Sequence, residues 1–124
     1  MVISIGVDVV DIERVATTLA KRPGMAGKLF TERESMTPKG VRTADSLAAR
    51  FAAKEALIKA LGGPVGLSWL EAEVITDDSG RPFFELSGAI AEAASSLGIT
   101  RTHLSLSHDG GHAVAMVVCE GDPA

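Results

Sequence analysis

Arg50-Phe51-Ala52-Ala53-Lys54-Glu55-Ala56-Leu57-Ile58-Lys59-Ala60-Leu61-Gly62 lies within the longest helical pattern of this 124-residue sequence. The pattern opens at Thr43 or Ser46, and Gly62-Gly63-Pro64 stops it, so helix is predicted to about Leu61. Upstream, Val2 to Val10 is rich in Val and Ile and predicts a buried strand. Asp11 offers a cap for a helix over Ile12 to Arg22, which Pro23-Gly24 ends. Thr31 and Glu34 have capping-box spacing and predict a short helix that Pro38-Lys39-Gly40 breaks. Downstream, Trp69 to Thr76 alternates as a strand, Asp77-Asp78-Ser79-Gly80 turns, and Pro82 to Leu86 resumes as a strand. Ser87 then caps a helix to Leu97, closed by Gly98. Thr102 to His108 and Ala113 to Cys119 form a second hairpin around Asp109-Gly110-Gly111. This order predicts an α+β fold with a largely antiparallel sheet packed on the long helix.

The length suits one domain, residues 1–124, with a hydrophobic core of its own. The composition, 46% hydrophobic and 23% charged, is that of a globular protein rather than a disordered one. A formal net charge of −4 argues against a general nucleic-acid binder, so any anion site must rest on local charge. The one cysteine, Cys119, excludes an internal disulfide and reads as a small core residue, and no Cys/His cluster has zinc spacing. The first residues lack a basic leader and no stretch approaches roughly 18 apolar residues, so a soluble, cytoplasmic protein without membrane contact is expected.

Three stretches can carry chemistry. Asp8 interrupts an apolar strand, where a carboxylate must be paired, protonated or bound to a cation. Arg14, or a capping role on the next helix, is the plain structural partner, and Gly6 on the same strand face points to a close approach by a ligand or another backbone. In the long helix Arg50 stands one turn before Lys54 and Glu55 one turn before Lys59. The second couple reads either as an ion pair worth about 0.3 to 0.5 kcal/mol or as a metal ligand beside a phosphate-binding or proton-accepting amine. The like charges of Arg50 and Lys54 repel unless an anion relieves them, which favours a phosphate. His108, at the end of Leu104-Ser105-Leu106-Ser107-His108, can donate to a phosphate oxygen. Two carboxylates, several cations and a histidine suit magnesium-assisted phosphoryl chemistry, and no Walker loop or Rossmann fingerprint is present.

Those residues resemble the holo-acyl-carrier-protein synthases, the short branch of the phosphopantetheinyl transferase superfamily. Gly6-Val7-Asp8 through Ile12-Glu13-Arg14 is similar to the first family motif, Arg50 through Gly62 to the central one, and Leu104 through His108 to the late one. Gly80-Arg81-Pro82 resembles a further family turn. The chain departs at Asp109, where a small hydroxyl residue often follows the histidine, and in the loop Gly63-Pro64-Val65-Gly66. The resemblance implies the 4'-phosphopantetheinyl transferase-like fold and transfer of phosphopantetheine from coenzyme A to a serine of apo acyl carrier protein in fatty acid biosynthesis, with Mg2+ required. It implies Asp8 and Glu55 as metal ligands and Asp8, Glu55 and Lys59 as the catalytic set. Arg50, Lys54, Lys59, Gly62 and His108 are implied as coenzyme A contacts. The serine proton goes either to Lys59, if burial and nearby cations lower its pKa, or to a water held by Glu55. Such carriers are acidic, which makes Arg14, Lys21 and Arg22 on the first helix a docking face. A homotrimer with sites between subunits is also implied. A non-catalytic module binding coenzyme A or a carrier, or another magnesium enzyme acting on a nucleotide diphosphate, are the competing readings.

Overall fold

The computed structural model describes residues 1–63 and 68–122. Pro64, Val65 and Gly66 of the departing loop therefore lie outside the described residues. The chain runs β1 (Val2–Asp11), α1 (Ile12–Lys21), α2 (Met25–Leu29), α3 (Glu32–Ser35), β2 (Met36–Thr37), β3 (Gly40–Val41) and α4 (Ala44–Leu61). A 3-10 turn (Trp69–Glu71), β4 (Ala72–Thr76), β5 (Pro82–Leu86), α5 (Gly88–Ser96), β6 (Ile99–Asp109) and β7 (His112–Gly121) follow.

Helix α4 begins where predicted, with the Thr43 hydroxyl accepting from the Ser46 N–H, and ends at Gly62 in the left-handed conformation, φ 93°. It is buried almost all round, by Ala52, Ala53, Ala56, Leu57 and Ala60 among others. The small side chains let the antiparallel sheet β1-β7-β6 approach closely. The limiting contact is Gly6, where an added Cβ would stand 1.8 Å from the Ala56 carbonyl oxygen, so the close approach expected there is made by backbone. Alternate residues of β7, Ala113, Ala115, Val117 and Cys119, face the helix and are buried. The hairpin β4-β5 adds Val74 and Phe84 to the same core, and α5 adds Ile90 and Ala94. On the other face of the sheet Ile5, Val7, Val9 and Met116 are exposed and form an apolar surface.

Four local expectations change. The first strand is not buried as predicted: only Gly6 is, because β1 packs on α4 with one face and leaves Ile5, Val7 and Val9 exposed on the other. Trp69 to Glu71 is a 3-10 turn rather than strand, because the Ser68 hydroxyl accepts from the Leu70 N–H and bends the chain. Ser87 precedes α5 without a side-chain cap; Glu71 Oε2 takes the Ala89 N–H instead, at 3.3 Å. The last hairpin is longer than predicted: Asp109 pairs with His112 around Gly110 and Gly111, both at positive φ as a tight two-residue turn requires.

Candidate active site

Asp8 lies on the α4 side of β1, opposite Ala115 in the ladder, because Gly6 brings that strand against the helix. Its partner is neither Arg14 nor the start of α1, whose cap is Asp11. Asp8 Oδ1 accepts from Lys59 Nζ at 2.7 Å, and the same ammonium donates to the Val7 carbonyl at 3.2 Å. Glu55, one turn earlier and half-buried, meets this pair from the helix. Burial raises its carboxyl pKa first and the negative charge of Asp8 raises it further, against the pull of Lys59. Two carboxylates thus share a single lysine and retain a surplus negative charge.

No group of three or more His, Cys, Asp or Glu suited to a metal occurs among the described residues. The donor set that Asp8 and Glu55 offer nevertheless fits a hard divalent cation, which is bound by few protein carboxylates and completes its shell with water and phosphate oxygens. Of the two proton acceptors left open by the sequence, Lys59 required a lowered pKa. The hydrogen bond to Asp8 holds its pKa above the ordinary lysine range, the direction opposite to the lowered value a general base needs. Gly62 is exposed at the end of α4, and among the described residues no heavy atom lies within 4 Å of where a Cβ would stand.

A second charged cluster lies on the side of α4 that faces β4 and β6. Arg50 is 5% exposed and opens with Arg42 onto a cavity of about 310 Å³ walled by Thr76, Gly80, Pro82 and Leu106. Arg50 donates to Ser46 Oγ and Thr76 Oγ1, both at 2.8 Å, and its buried Nε has no partner among the described residues. Burial, and after it the positive charge of Arg42, brings its pKa down to about 10. Two guanidinium groups crowded at one cavity are equipped to receive an anion there. Arg42 was not among the residues singled out in the sequence. Its only signal there was a cation just before the cap of the long helix.

Lys54 does not join Arg50 in a surface stripe. It is fully buried, donates to Glu34 Oε1 at 2.7 Å and to the Trp69 carbonyl at 2.9 Å, and lies over the Phe30 ring. Glu34 also accepts from the N–H groups of Thr31 and Val74, so the anion that relieves this cation is a side chain of the protein. His108 is exposed in a half-open cavity of about 790 Å³ shared with His112 and the carboxylates of Asp11, Glu13, Asp45 and Asp109. From Asp8 it is two strands across and two residues along, roughly 12 Å between backbones. Within one chain, then, Asp8, Glu55 and Lys59 come together, Arg50 joins Arg42, and His108 stands apart from Asp8.

On α1, Arg14, Lys21 and Arg22 are exposed along one cleft. Beside it α2, unpredicted, closes an apolar cavity of about 370 Å³ lined by Val15, Leu19, Met25, Leu29, Phe51 and Trp69.

An α+β fold carrying one cation-seeking and one anion-seeking cluster defines a protein that handles a phosphorylated ligand. Residues 4–117 match the family model of the 4'-phosphopantetheinyl transferase superfamily. A curated holo-[acyl-carrier-protein] synthase from Salinispora arenicola is 54% identical over 121 residues, 97% of this chain and 99% of that one. The crystal structure of the holo-[acyl-carrier-protein] synthase from Neisseria meningitidis superposes with a TM-score of 0.85 at 32% identity, covering 97% of this chain and 99% of that one. An ACPS-CoA complex from Chronobacterium ammoniagenes gives 0.81 at 35% identity, over 96% and 97% of the two chains. The chain belongs to the 4'-phosphopantetheinyl transferase superfamily, among its holo-[acyl-carrier-protein] synthases.

Proposed function

We propose that this chain transfers the 4'-phosphopantetheine group of coenzyme A to a serine hydroxyl of apo acyl carrier protein, releasing adenosine 3',5'-bisphosphate and supplying holo carrier for fatty acid biosynthesis in the cytoplasm. The observation that carries the reading is the 54% identity to a holo-[acyl-carrier-protein] synthase over nearly the whole of both chains. Residues 1–124 act as one transferase domain.

In this reading Asp8 and Glu55 hold Mg2+, which when bound stabilises negative charge on the departing phosphate oxygens. Their surplus negative charge beside a single lysine supports that role. The carrier serine oxygen bonds to the β-phosphorus as the bond from that phosphorus to the bridging oxygen breaks, and the bridging oxygen leaves with the nucleotide. Lys59, an ammonium with two donors already directed at Asp8 and the Val7 carbonyl, contributes positive charge next to the pyrophosphate. The serine proton passes to a water held by Glu55. Gly62 leaves room for the nucleotide at the end of α4, and His108 donates to a coenzyme A phosphate. Arg50, with Arg42, receives the ribose 3'-phosphate, which the two guanidinium groups crowded at one cavity support. Lys54 serves the co-substrate only indirectly, by holding α4 against α3.

The carboxylate and arginine clusters lie on opposite sides of α4, and the exposed apolar face of Ile5, Val7, Val9 and Met116 favours self-association. Both support a homotrimer in which neighbouring subunits complete each site; an active monomer in light scattering contradicts it. The basic face of Arg14, Lys21 and Arg22 beside the apolar cavity suits an acidic amphipathic helix of the carrier. A charge reversal at Lys21 and Arg22 that leaves the carrier KM unchanged contradicts that docking face.

Intact-protein mass spectrometry of apo carrier incubated with the enzyme, coenzyme A and Mg2+ tests the whole. One phosphopantetheine is gained on the serine, and EDTA, Asp8→Ala or Glu55→Ala abolishes the gain. A folded protein that binds coenzyme A and modifies no carrier overturns the reading in favour of a binding module.

A further inference from the structure

Ser46 stands in the first turn of α4, where its backbone N–H is taken by the Thr43 hydroxyl at 3.3 Å. Its own hydroxyl oxygen accepts from two cations at once, Arg42 Nη1 at 3.1 Å and Arg50 Nη1 at 2.8 Å. A hydroxyl oxygen has two lone pairs, so both are committed to guanidinium groups. Each arginine has one further tether. Arg42 Nε donates to the Glu34 carbonyl at 2.6 Å, and Arg50 Nη2 donates to Thr76 Oγ1 at 2.8 Å. Ser46 is the point where the two side chains meet, and an uncharged atom there counters their mutual repulsion. Both guanidinium groups open on the cavity under Gly80 and Pro82.

We propose that Ser46 is a positioning residue that fixes the spacing of Arg42 and Arg50 and through them makes the enzyme selective for a co-substrate carrying a ribose 3'-phosphate. The inference rests on the assignment of the arginine pair to that phosphate. Removing the hydroxyl leaves Arg42 held only by the Glu34 carbonyl and Arg50 only by Thr76, and the two guanidinium groups separate. The selectivity then lost is specific to the phosphate that the pair receives, since Ser46 itself makes no contact with Asp8, Glu55 or Lys59.

The test compares coenzyme A with dephospho-coenzyme A, which lacks the 3'-phosphate, as co-substrates for the full-length enzyme. The wild type favours coenzyme A through a lower KM. In Ser46→Ala the KM for coenzyme A rises roughly tenfold, the scale of one lost charge-assisted contact, while the KM for dephospho-coenzyme A moves less than about twofold. Ser46→Thr, which keeps the hydroxyl, restores the preference. A wild type that does not distinguish the two co-substrates overturns the assignment of the arginine pair. A wild type that does distinguish them, with the preference intact in Ser46→Ala, overturns the role of Ser46 alone. Equal losses with both co-substrates reduce Ser46 to a structural contact and likewise overturn the proposal.

Discussion

Lys54 and Glu55 are neighbours in sequence, yet helix α4 delivers them to opposite surroundings. Lys54 points into the interior and meets Glu34, whose carboxylate also takes two backbone N–H groups, so every charge there has its counterpart. Glu55 points toward β1 and meets Asp8, a second carboxylate, with only the half-exposed Lys59 between them. Burial raises the cost of an unpaired charge in both places, but only the first pocket is internally balanced. A charge that holds the fold is thus separated from charges that await a ligand: the first pair is closed off from solvent and completed by protein groups, while the second lies partly open with its set incomplete.

The largest effect expected from breaking the balanced side comes from Glu34→Gln. It strands the Lys54 ammonium in the core and lowers unfolding free energy by about 3–5 kcal/mol, read from a urea midpoint. Adding Lys54→Met replaces the stranded charge by an apolar chain and recovers more than half of the loss; a double variant no more stable than Glu34→Gln contradicts the pairing. Gly6→Ala tests the other side. The new Cβ meets the Ala56 carbonyl oxygen, and separating β1 from α4 costs about 2–3 kcal/mol while drawing Asp8 away from Glu55, so transfer falls along with the urea midpoint. An unchanged midpoint rules out the close contact.

The smallest effect sharpens the contrast with a surface charge. The Asp77 carboxylate accepts from the Ser79 hydroxyl and from the Arg81 and Ser79 N–H groups, which hold its pKa below the ordinary 3.8. A depressed carboxylate pKa means that the folded state binds fewer protons, so its contribution is complete above 3.8 and is lost as pH falls through the folded value. Asp77→Asn should therefore lower Tm slightly at neutral pH, with the gap to wild type closing in acid. A gap that persists unchanged in strong acid argues against the carboxylate.

Much of this arrangement was legible in the sequence because it depends on local signals. The start and end of α4, the capping box at Thr31, the turn at Gly110-Gly111 and the close approach at Gly6 each follow from a residue type and its immediate neighbours. What escaped was long-range pairing. Asp8 finds Lys59 across 51 residues because β1 packs on α4, whereas Arg14 was only the nearest cation along the chain. Glu34 looked fully used as a capping residue, yet one carboxylate serves the cap and Lys54 together. Arg42 lay just outside the helical pattern, and its importance appears only once Arg50 and the β4-β5 turn enclose a cavity with it. The short α2 went unseen because five residues with a central glycine carry too little periodicity.

Carrier-transfer rates of Glu55→Gln and of the Glu34→Gln/Lys54→Met double variant, each normalised to folded protein, decide whether Glu55 acts on the reaction and Lys54 on the fold. Glu55→Gln folds as the wild type does but loses transfer by about 100-fold or more, the scale of removing an electrostatic stabiliser from an active site. The double variant transfers within about threefold of wild type, as expected of a site that is not coupled to the reacting groups. A folded double variant as inactive as Glu55→Gln would contradict that division of roles and return Lys54 to the co-substrate.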